Sequence, residues 1–275
     1  MRVRWWAAVM LLVAGCAQAP TNPITAHPAT TNPPTTIPSS TSPAPRSSGV
    51  TVRSPGSAPT TRPTPPPSAA IPPVSAAAQA AGLLDIRTIV PDAIVDLRYA
   101  TSHNFVGVPL YPADARCLVH ESMAPGLRTA AARLRRQGDV LVFWDCYRPH
   151  PVQVHMFQIV PNPNWVARPR SYARSHEAAR SVDVTLAHAA TGLPCPASQR
   201  IDGHCLLDMG TGFDDFTPRA YAFATDEVSA SAQANRAVLR TAMESGGIVV
   251  YSGEWWHFDG PGALVGRPFL NVPVD

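Results

Sequence analysis

The chain of 275 residues is long enough for one good-sized domain, and its net charge of +3 is mild. Its Lys and Arg residues form neither a basic cluster nor a basic stripe interleaved with aromatic residues, which argues against a nucleic-acid partner. No internal repeat is visible, and no protein partner is predicted.

The N-terminus has the pattern of a secretory signal. Two arginines in Met1-Arg2-Val3-Arg4 precede an apolar run, Trp5 to Val13, that is too short to span a membrane. Leu12-Val13-Ala14-Gly15-Cys16 resembles a bacterial lipobox, in which the cysteine is acylated after the signal is removed. We therefore expect a signal over residues 1–15 and a lipid anchor on Cys16 that holds the chain on the extracytoplasmic side of the cell membrane. The alternative is an ordinary signal peptide with a chance cysteine.

The segment after Cys16 is rich in Pro, Thr, Ser and Ala. Residues 17–80 hold about half of the 31 prolines and almost no large apolar side chains. Such a segment cannot bury enough surface to offset the entropy of ordering it. We therefore predict a disordered, lipid-anchored linker over residues 16–81 and a folded domain over residues 82–275.

The folded part contains four cysteines, Cys117, Cys146, Cys195 and Cys205. An even number in an exported domain favours disulfides. Three pairings are open, and pairing Cys195 with Cys205 would close a short loop and leave Cys117 with Cys146. The alternatives are free buried thiols and a structural zinc site, although no Cys-x-x-Cys spacing occurs.

Hydrophobic periodicity predicts a domain of mixed class. Alternating or apolar runs predict strands over 94–99, 140–144, 181–186 and 248–251, and helical spacing predicts helices over 122–137, 151–160 and 229–245. Ser122 is the predicted N-cap of the first helix. In the third strand, Ser181, Asp183 and Thr185 face the same way. The order of the elements suggests a single α+β domain with a central antiparallel sheet flanked by helices, carrying the functional site on the sheet.

The most informative residues are Glu254-Trp255-Trp256-His257, together with His176 and Asp183 upstream. They supply two imidazoles and two carboxylates, which is the inventory of a catalytic zinc site with its own general base. Each residue alone would be unexceptional, because a His or Asp beside a strand is usually a satisfied polar residue. Segments rich in Trp are also more often core than site.

Five short motifs follow the order found in a known family. They are Tyr99-Ala100-Thr101 with Asn104-Phe105, Trp144 to Pro149, Ser175-His176 with Asp183 to Leu186, Met209-Gly210 with Phe213-Asp214, and Ser252 to His257. On these residues the chain resembles the zinc D-alanyl-D-alanine dipeptidases, the family of the vancomycin-resistance dipeptidase. The resemblance implies hydrolysis of D-Ala-D-Ala to two D-alanines in cell-wall dipeptide metabolism, with one Zn²⁺ per chain.

The resemblance also implies roles for the matching residues. His176, Asp183 and His257 look like the zinc ligands. Glu254 looks like the base that activates the attacking water and passes the proton to the leaving amine. Arg148 looks like the group that steadies the oxyanion, which suits a guanidinium because it cannot deprotonate.

Three further residues match positions that hold the substrate. Tyr99 and Asp214 correspond to positions that bind the free amine of the dipeptide, and Ser175 to a position near its carboxylate. Two of the assigned residues have structural alternatives, since Arg148 could form a salt bridge and Asp214 could be a turn or cap residue.

The chain departs from the family pattern between the first imidazole and the first carboxylate. The family usually has Gly and a small residue there, whereas this chain has Glu177-Ala178-Ala179-Arg180-Ser181. Losing the Gly removes backbone freedom in a tight turn, and Arg180 adds bulk. We therefore expect differences in rate and pocket shape more than in metal binding.

Two other functions remain open. One is a zinc D,D-carboxypeptidase or endopeptidase that acts on peptidoglycan stem peptides, and the other is a catalytically silent wall-binding lipoprotein. An amine-binding end made by Tyr99 and Asp214 would exclude a longer peptide, and a binding protein would have no need of Glu254. An exported dipeptidase suits the salvage of wall-derived dipeptides.

Overall fold

The computed structural model describes residues 70–275. The predicted signal, the lipobox cysteine Cys16 and most of the predicted linker lie outside these residues. Within 70–275, no helix has the length and apolar character needed to cross a membrane.

The helices and strands of the described part follow one another in a mixed order, and the prediction of an α+β domain is confirmed. The helices are α1 (Ala76–Ala80), α2 (Ile86–Ile89), α3 (Ala124–Arg135), α4 (His150–Ile159) and α5 (Ala230–Ser245). The strands are β1 (Leu83–Asp85), β2 (Ile94–Val95), β3 (Leu118–His120), β4 (Asp139–Asp145), β5 (Ser181–Thr191), β6 (Arg200–Ile201), β7 (His204–Leu206), β8 (Val249–Val250) and β9 (His257–Asp259).

Regular structure begins before the predicted domain boundary at residue 82. Helix α1 lies inside the range predicted as linker, and its Ala78 is fully buried. Arg116 also donates hydrogen bonds to the carbonyl groups of Pro72 and Pro73, at 2.7 and 3.0 Å. The predicted boundary is therefore too late by several residues, because small apolar side chains such as Ala78 can be buried without a strong hydrophobic pattern.

Seven of the strands form one sheet. Its order is β2-β4-β5-β7-β6, and β9 pairs with both β5 and β8. The pairs are antiparallel except for β2 and β4, which run parallel. The prediction of an antiparallel sheet is wrong for that pair, because β2 and β4 are joined by a crossover that contains β3 and α3 rather than by a hairpin. Strands β1 and β3 form a separate antiparallel pair.

The longest predicted elements are confirmed to within a few residues. All seven residues of β4 are buried, and α5 begins after Ser229, whose hydroxyl accepts a hydrogen bond from the Ala232 amide at 3.1 Å. Strand β5, which carries Asp183, begins as predicted and runs five residues beyond its predicted end.

Two local predictions are wrong. The strand predicted over 94–99 ends at Val95, and the chain turns into a 3-10 helix at Arg98–Ala100. There the Tyr99 carbonyl accepts hydrogen bonds from the loop amides of Leu110 and Tyr111 instead of a sheet neighbour. Ser122 lies in a 3-10 turn before α3, and it does not cap that helix.

Helix α3 packs against both β4 and α5. The two helices approach each other at a pair of glycines, where a Cβ atom on Gly246 would lie 2.2 Å from the Gly126 carbonyl oxygen. Only a residue without a side chain allows this approach. The contact fixes α5 behind the chain segment that leads through β8 to β9.

All four cysteines of the folded part form disulfides. Cys117 is bonded to Cys146 across 29 residues, and Cys195 is bonded to Cys205 across 10 residues. The first bond ties the chain just before β3 to the end of β4, and the second joins the segment before β6 to β7.

Candidate active site

Strand register sets the centre of the site. Asp183 on β5 lies opposite Asp145 on β4 and opposite His257 on β9. Directly paired residues of neighbouring strands project from the same face of a sheet. The three side chains therefore form a row across β4, β5 and β9.

His176 joins this row from the 3-10 helix Ser175–Ala178 that precedes β5. Its Nε2 atom lies 3.0 Å from His257 Nδ1 and 3.2 Å from Asp183 Oδ1. The distance between His257 Nδ1 and Asp183 Oδ1 is 3.1 Å. The structure thus brings together the three residues predicted to hold a metal, and they form a group that could do so.

The outer hydrogen bonds of the two imidazoles determine what they present to each other. His176 Nδ1 lies 2.8 Å from the Cys146 carbonyl oxygen, which can only accept, so this nitrogen carries the proton. His257 Nε2 lies 3.1 Å from the Asp259 carboxylate. In the neutral tautomers that follow, which are the forms able to bind a cation, His176 Nε2 and His257 Nδ1 turn lone pairs toward the Asp183 carboxylate.

Such a group of acceptors fits a cation. Ligands bound tetrahedrally at about 2.0 Å lie about 3.3 Å from one another, which is close to the separations of 3.0 to 3.2 Å found here. A histidine that binds a metal also usually donates its other ring N–H to a carbonyl or a carboxylate. Both imidazoles meet that condition.

The pKa values in the cluster show the same demand for positive charge. Burial lowers the pKa of His257, but hydrogen bonds to Asp183 and Asp259 outweigh it and raise the pKa to about 10. Burial opposes the net shift of Asp183 as well: it raises the pKa of this carboxyl group, but the charge of His176 and hydrogen bonds from both imidazoles lower the pKa overall. In the absence of a cation, His257 therefore binds a proton at neutral pH, and a metal ion would displace that proton.

Glu254 lies on the turn between β8 and β9, three residues before His257. Its Oε2 atom is 3.9 Å from His257 Nδ1. The two tryptophans between these residues are buried, so the segment is core and site at once. Burial raises the pKa of Glu254 to about 7, against the attraction of His257. A carboxylate next to the cluster can therefore take and release a proton near neutral pH.

Arg148 is held by Asp145, to which the sequence analysis assigned no role. Asp145 is fully buried and accepts hydrogen bonds from Arg148 Nε at 2.9 Å and Nη2 at 2.7 Å. It also accepts one from Tyr111 at 2.7 Å, while Arg148 Nη1 donates to Gln153. Arg148 therefore does form the structural salt bridge considered as an alternative, and its Nη2 also lies 3.9 Å from Asp183 Oδ2. The sequence signal that could have identified Asp145 is an acidic residue three positions before an arginine at the end of a strand.

Tyr99 and Asp214 form a second acidic position. The Tyr99 hydroxyl donates to Asp214 Oδ2 at 2.9 Å. Asp214 takes a left-handed backbone conformation, φ 55°, so it is a turn residue, and its side chain lines the cavity as well. Burial raises the pKa of Asp214 well above its usual range, and the charges of Asp183 and Glu254 add to the rise.

One cavity of about 340 Å³ connects these groups. All eight residues predicted for catalysis, metal binding and substrate binding line it, namely Tyr99, Arg148, Ser175, His176, Asp183, Asp214, Glu254 and His257. The Ser175 hydroxyl lies 3.4 Å from His257 Nε2. The cavity is of a size for a small molecule.

The bulk that Arg180 adds lies outside the pocket. Its side chain does not line the cavity. It donates instead to the hydroxyl of Ser122 and to the carbonyl of Pro261, the latter at 2.8 Å. The missing glycine does affect the backbone. Ala179 takes the left-handed conformation, φ 55°, that a glycine adopts more easily.

A buried group of two imidazoles and one carboxylate, beside a carboxylate of raised pKa, defines the class of a metal-dependent hydrolase. Residues 79–275 match the model of a peptidase family described as D-ala-D-ala dipeptidase. The chain belongs to this family, as the resemblance predicted, and it is accordingly a peptidase.

Three relatives from different bacteria carry the name D-alanyl-D-alanine dipeptidase. The protein from Escherichia coli K12 is 34% identical over 181 residues, which cover 66% of this chain and 86% of the relative. The protein from Enterococcus faecalis V583 is 30% identical over 201 residues, which cover 64% of this chain and 88% of the relative. The protein from Streptomyces coelicolor is 31% identical over 182 residues, which cover 59% of this chain and 83% of the relative.

Proposed function

We propose that the protein is a zinc-dependent dipeptidase that hydrolyses D-Ala-D-Ala to two molecules of D-alanine. The observation that carries the proposal is the convergence of His176 Nε2, His257 Nδ1 and Asp183 Oδ1 beside Glu254. Two imidazoles and one carboxylate are a ligand set that suits Zn²⁺. One zinc ion per chain would be held by Asp183 and His257 from the sheet and by His176 from the 3-10 helix before β5.

Bound zinc supplies a Lewis acid and acidifies water at the site. Glu254 accepts the proton of the attacking water and returns it to the amine that leaves. Its pKa of about 7 supports this role, because a group with a pKa near the working pH can both accept and donate a proton.

Arg148 stabilises the oxygen of the scissile carbonyl as negative charge develops on it. Asp145 and Gln153 fix the guanidinium through three hydrogen bonds of 2.7 to 2.9 Å. A donor that is already oriented has no reorganisation to undergo during the reaction, and this is why such groups stabilise transition states effectively.

The free amine of the dipeptide binds between Asp214 and Tyr99, and Ser175 contacts the carboxylate end. A buried carboxylate such as Asp214 is stabilised by a cationic partner. The ammonium group of an unblocked dipeptide is such a partner, whereas an acylated amine carries no charge. The site therefore favours a free dipeptide over a longer peptide.

We further propose that the protein is exported and held at the cell membrane by a lipid on Cys16, where it recovers wall-derived dipeptides. The support is the signal and lipobox pattern of residues 1–16. The two disulfides add to it, because disulfides persist in oxidising compartments outside the cytosol.

The test is the release of D-alanine by the purified full-length protein, with its zinc content measured. D-Ala-D-Ala is compared with N-acetyl-D-Ala-D-Ala, and Glu254→Ala serves as the control. We expect cleavage of the free dipeptide only, and its loss in the control with zinc retained. Cleavage of the acetylated substrate would favour a carboxypeptidase that acts on stem peptides, and no cleavage by folded, zinc-loaded protein would favour a silent wall-binding protein.

A further inference from the structure

One side of the catalytic cavity carries arginines that no carboxylate neutralises. Arg168, Arg170 and Arg174 come from the segment between α4 and β5, and all three line the same cavity as the metal-type cluster. Among the residues of the described chain, none of the three forms an ion pair. We refer to these three residues as the arginine face.

Aromatic rings hold part of the arginine face in place without cancelling its charge. The guanidinium of Arg168 lies 5.4 Å from the centre of the Phe157 ring. That of Arg170 lies 5.7 Å from the Tyr172 ring and donates to the Tyr172 hydroxyl at 3.2 Å. Stacking of this kind orients a guanidinium and leaves its charge and most of its N–H donors available.

Arg174 occupies the inner position of the arginine face. It directly precedes Ser175 and the metal-type ligand His176, and its backbone is extended. Its side chain is half-buried and has no hydrogen-bond partner within residues 70–275. A partly desolvated arginine next to a reaction site is well placed to bind an anionic part of a ligand.

Of the five acidic residues that line the cavity, Glu254 faces His257 and pairs with none of the three arginines, and the other four are engaged elsewhere. Glu177 contacts His150 Nδ1 at 2.6 Å, and Asp214 accepts the Tyr99 hydroxyl. Asp183 faces the two imidazoles, and Asp259 accepts hydrogen bonds from Ser181 and His257. The charge of the arginine face is therefore available to a ligand. A dipeptide of two alanines offers one carboxylate, which is fewer than the three guanidinium groups can bind.

We propose that the arginine face selects dipeptides whose second residue has an acidic side chain. The proposal rests on the proposed dipeptidase function, since it concerns the substrate of the same site. The second carboxylate would form charge-assisted, bidentate hydrogen bonds with the arginine face. The reaction is unchanged, because water adds across the same amide bond and yields D-alanine and the acidic D-amino acid.

Isosteric substrate pairs test the proposal. The full-length, zinc-loaded protein is given D-Ala-D-Glu and D-Ala-D-Gln, and then D-Ala-D-Asp and D-Ala-D-Asn. Each pair has the same shape, amine and terminal carboxylate, so the ratio of kcat/KM reports only the extra charge. We expect the acid to be favoured about tenfold or more, and the preference to shrink as salt is added.

Variants assign the preference to residues. Arg174→Gln is expected to reduce the acid-to-amide ratio about threefold, and the triple variant that adds Arg168→Gln and Arg170→Gln to bring the ratio to about one. Arg128→Gln is the matched control, because Arg128 is exposed on α3 and does not line the cavity. An unchanged ratio in the Arg174 variant would assign the preference elsewhere and overturn the proposal.

Binding separates this proposal from the proposed function. Calorimetry with the Glu254→Gln protein measures the same ratios as affinities without turnover. A wild-type ratio of one or below, with D-Ala-D-Ala cleaved normally, would refute the selection of acidic dipeptides and leave the dipeptidase intact. If the wild-type protein turned over no dipeptide but still bound the acidic dipeptide more tightly than its amide, the dipeptidase function would be refuted. The arginine face would then remain an anion-binding site.

Discussion

Asp259 determines which nitrogen of His257 faces the metal-type cluster. Its carboxylate lies 3.1 Å from His257 Nε2 and also accepts a hydrogen bond from Ser181. Asp259→Asn replaces this acceptor by an amide, which holds the imidazole less firmly and makes it less basic. We expect zinc affinity to fall by about 10- to 100-fold, as measured by competition with a chelator. The surface variant Asp92→Asn is the control, and equal affinity in the two variants would contradict this account.

Glu254 should control the acid side of the pH profile. As a base it must be ionised, so kcat/KM rises with pH until the carboxyl group has lost its proton. Burial places its pKa at about 7, and a bound cation would favour the carboxylate and lower the pKa. The loaded enzyme should therefore show an acid limb at or below about pH 7 and no further rise above it. A limb well above pH 7 would assign the essential base to another group.

Among the short elements, the turn after His176 stores backbone strain. Ala179 has φ 55° and is fully buried, whereas its neighbour Ala178 lies in the 3-10 helix. Ala179→Gly removes the strain of a left-handed alanine, which raises the free energy of unfolding by about 1 kcal/mol. The same change removes a buried methyl group, which lowers that free energy by about as much. Ala178→Gly loses a buried methyl group in the same way, but it relieves no backbone strain. We expect urea denaturation to show Ala179→Gly as about 1 kcal/mol more stable than Ala178→Gly, and equal stabilities would mean that the turn is unstrained.

Helix α5 positions the loop that carries Asp214. The buried Arg236 donates to the carbonyls of Met209 at 2.7 Å, Arg219 at 2.9 Å and Tyr221 at 3.2 Å. These acceptors lie at the two ends of the segment that presents Asp214 to the cavity. Arg236 is therefore a positioning residue for the proposed amine-binding end.

Replacing Arg236 by Met should raise KM for D-Ala-D-Ala about tenfold and change kcat less, because loss of these charge-assisted hydrogen bonds loosens substrate binding. Its effect should not add to that of Asp214→Asn, since both act on the same group. Arg240→Met on the same helix is the matched control, with its contact to Ala222 outside the loop. Additive effects, or a fall in kcat with KM unchanged, would contradict the positioning role.

Elements with a strong local pattern were predictable, and contacts that depend on register were not. The apolar run of β4 and the cap and spacing of α5 are local properties of the sequence. The opposition of Asp145, Asp183 and His257 depends on how three strands far apart in the chain pair with one another. Periodicity contains no such information, which is why Asp145 received no role.

At the scale of the whole molecule, family motifs supplied what periodicity could not. They named eight of the residues that line the cavity. They gave no account of the arginine face, because Arg168, Arg170 and Arg174 lie in a loop outside the motifs. Their common property, proximity to one cavity without a carboxylate partner, exists only in the folded chain.

The two disulfides link the stability of the molecule to its compartment in different ways. Loop closure predicts that the bond between Cys117 and Cys146 contributes about 3.6 kcal/mol and the bond between Cys195 and Cys205 about 2.7 kcal/mol. Only the first adjoins the site, because the Cys146 carbonyl oxygen accepts a hydrogen bond from His176 Nδ1 at 2.8 Å.

Replacing each cysteine pair by alanines should therefore give two different results. Loss of Cys117–Cys146 should lower the free energy of unfolding by the larger amount and also weaken zinc binding, since the carbonyl that orients His176 loses its anchor. Loss of Cys195–Cys205 should lower stability with zinc affinity unchanged, which makes it the control for the first variant. Urea denaturation and chelator competition measure the two quantities. Equal zinc affinity in both variants would mean that β4 alone fixes the Cys146 carbonyl, and that reduction of the protein would cost stability without affecting the metal site.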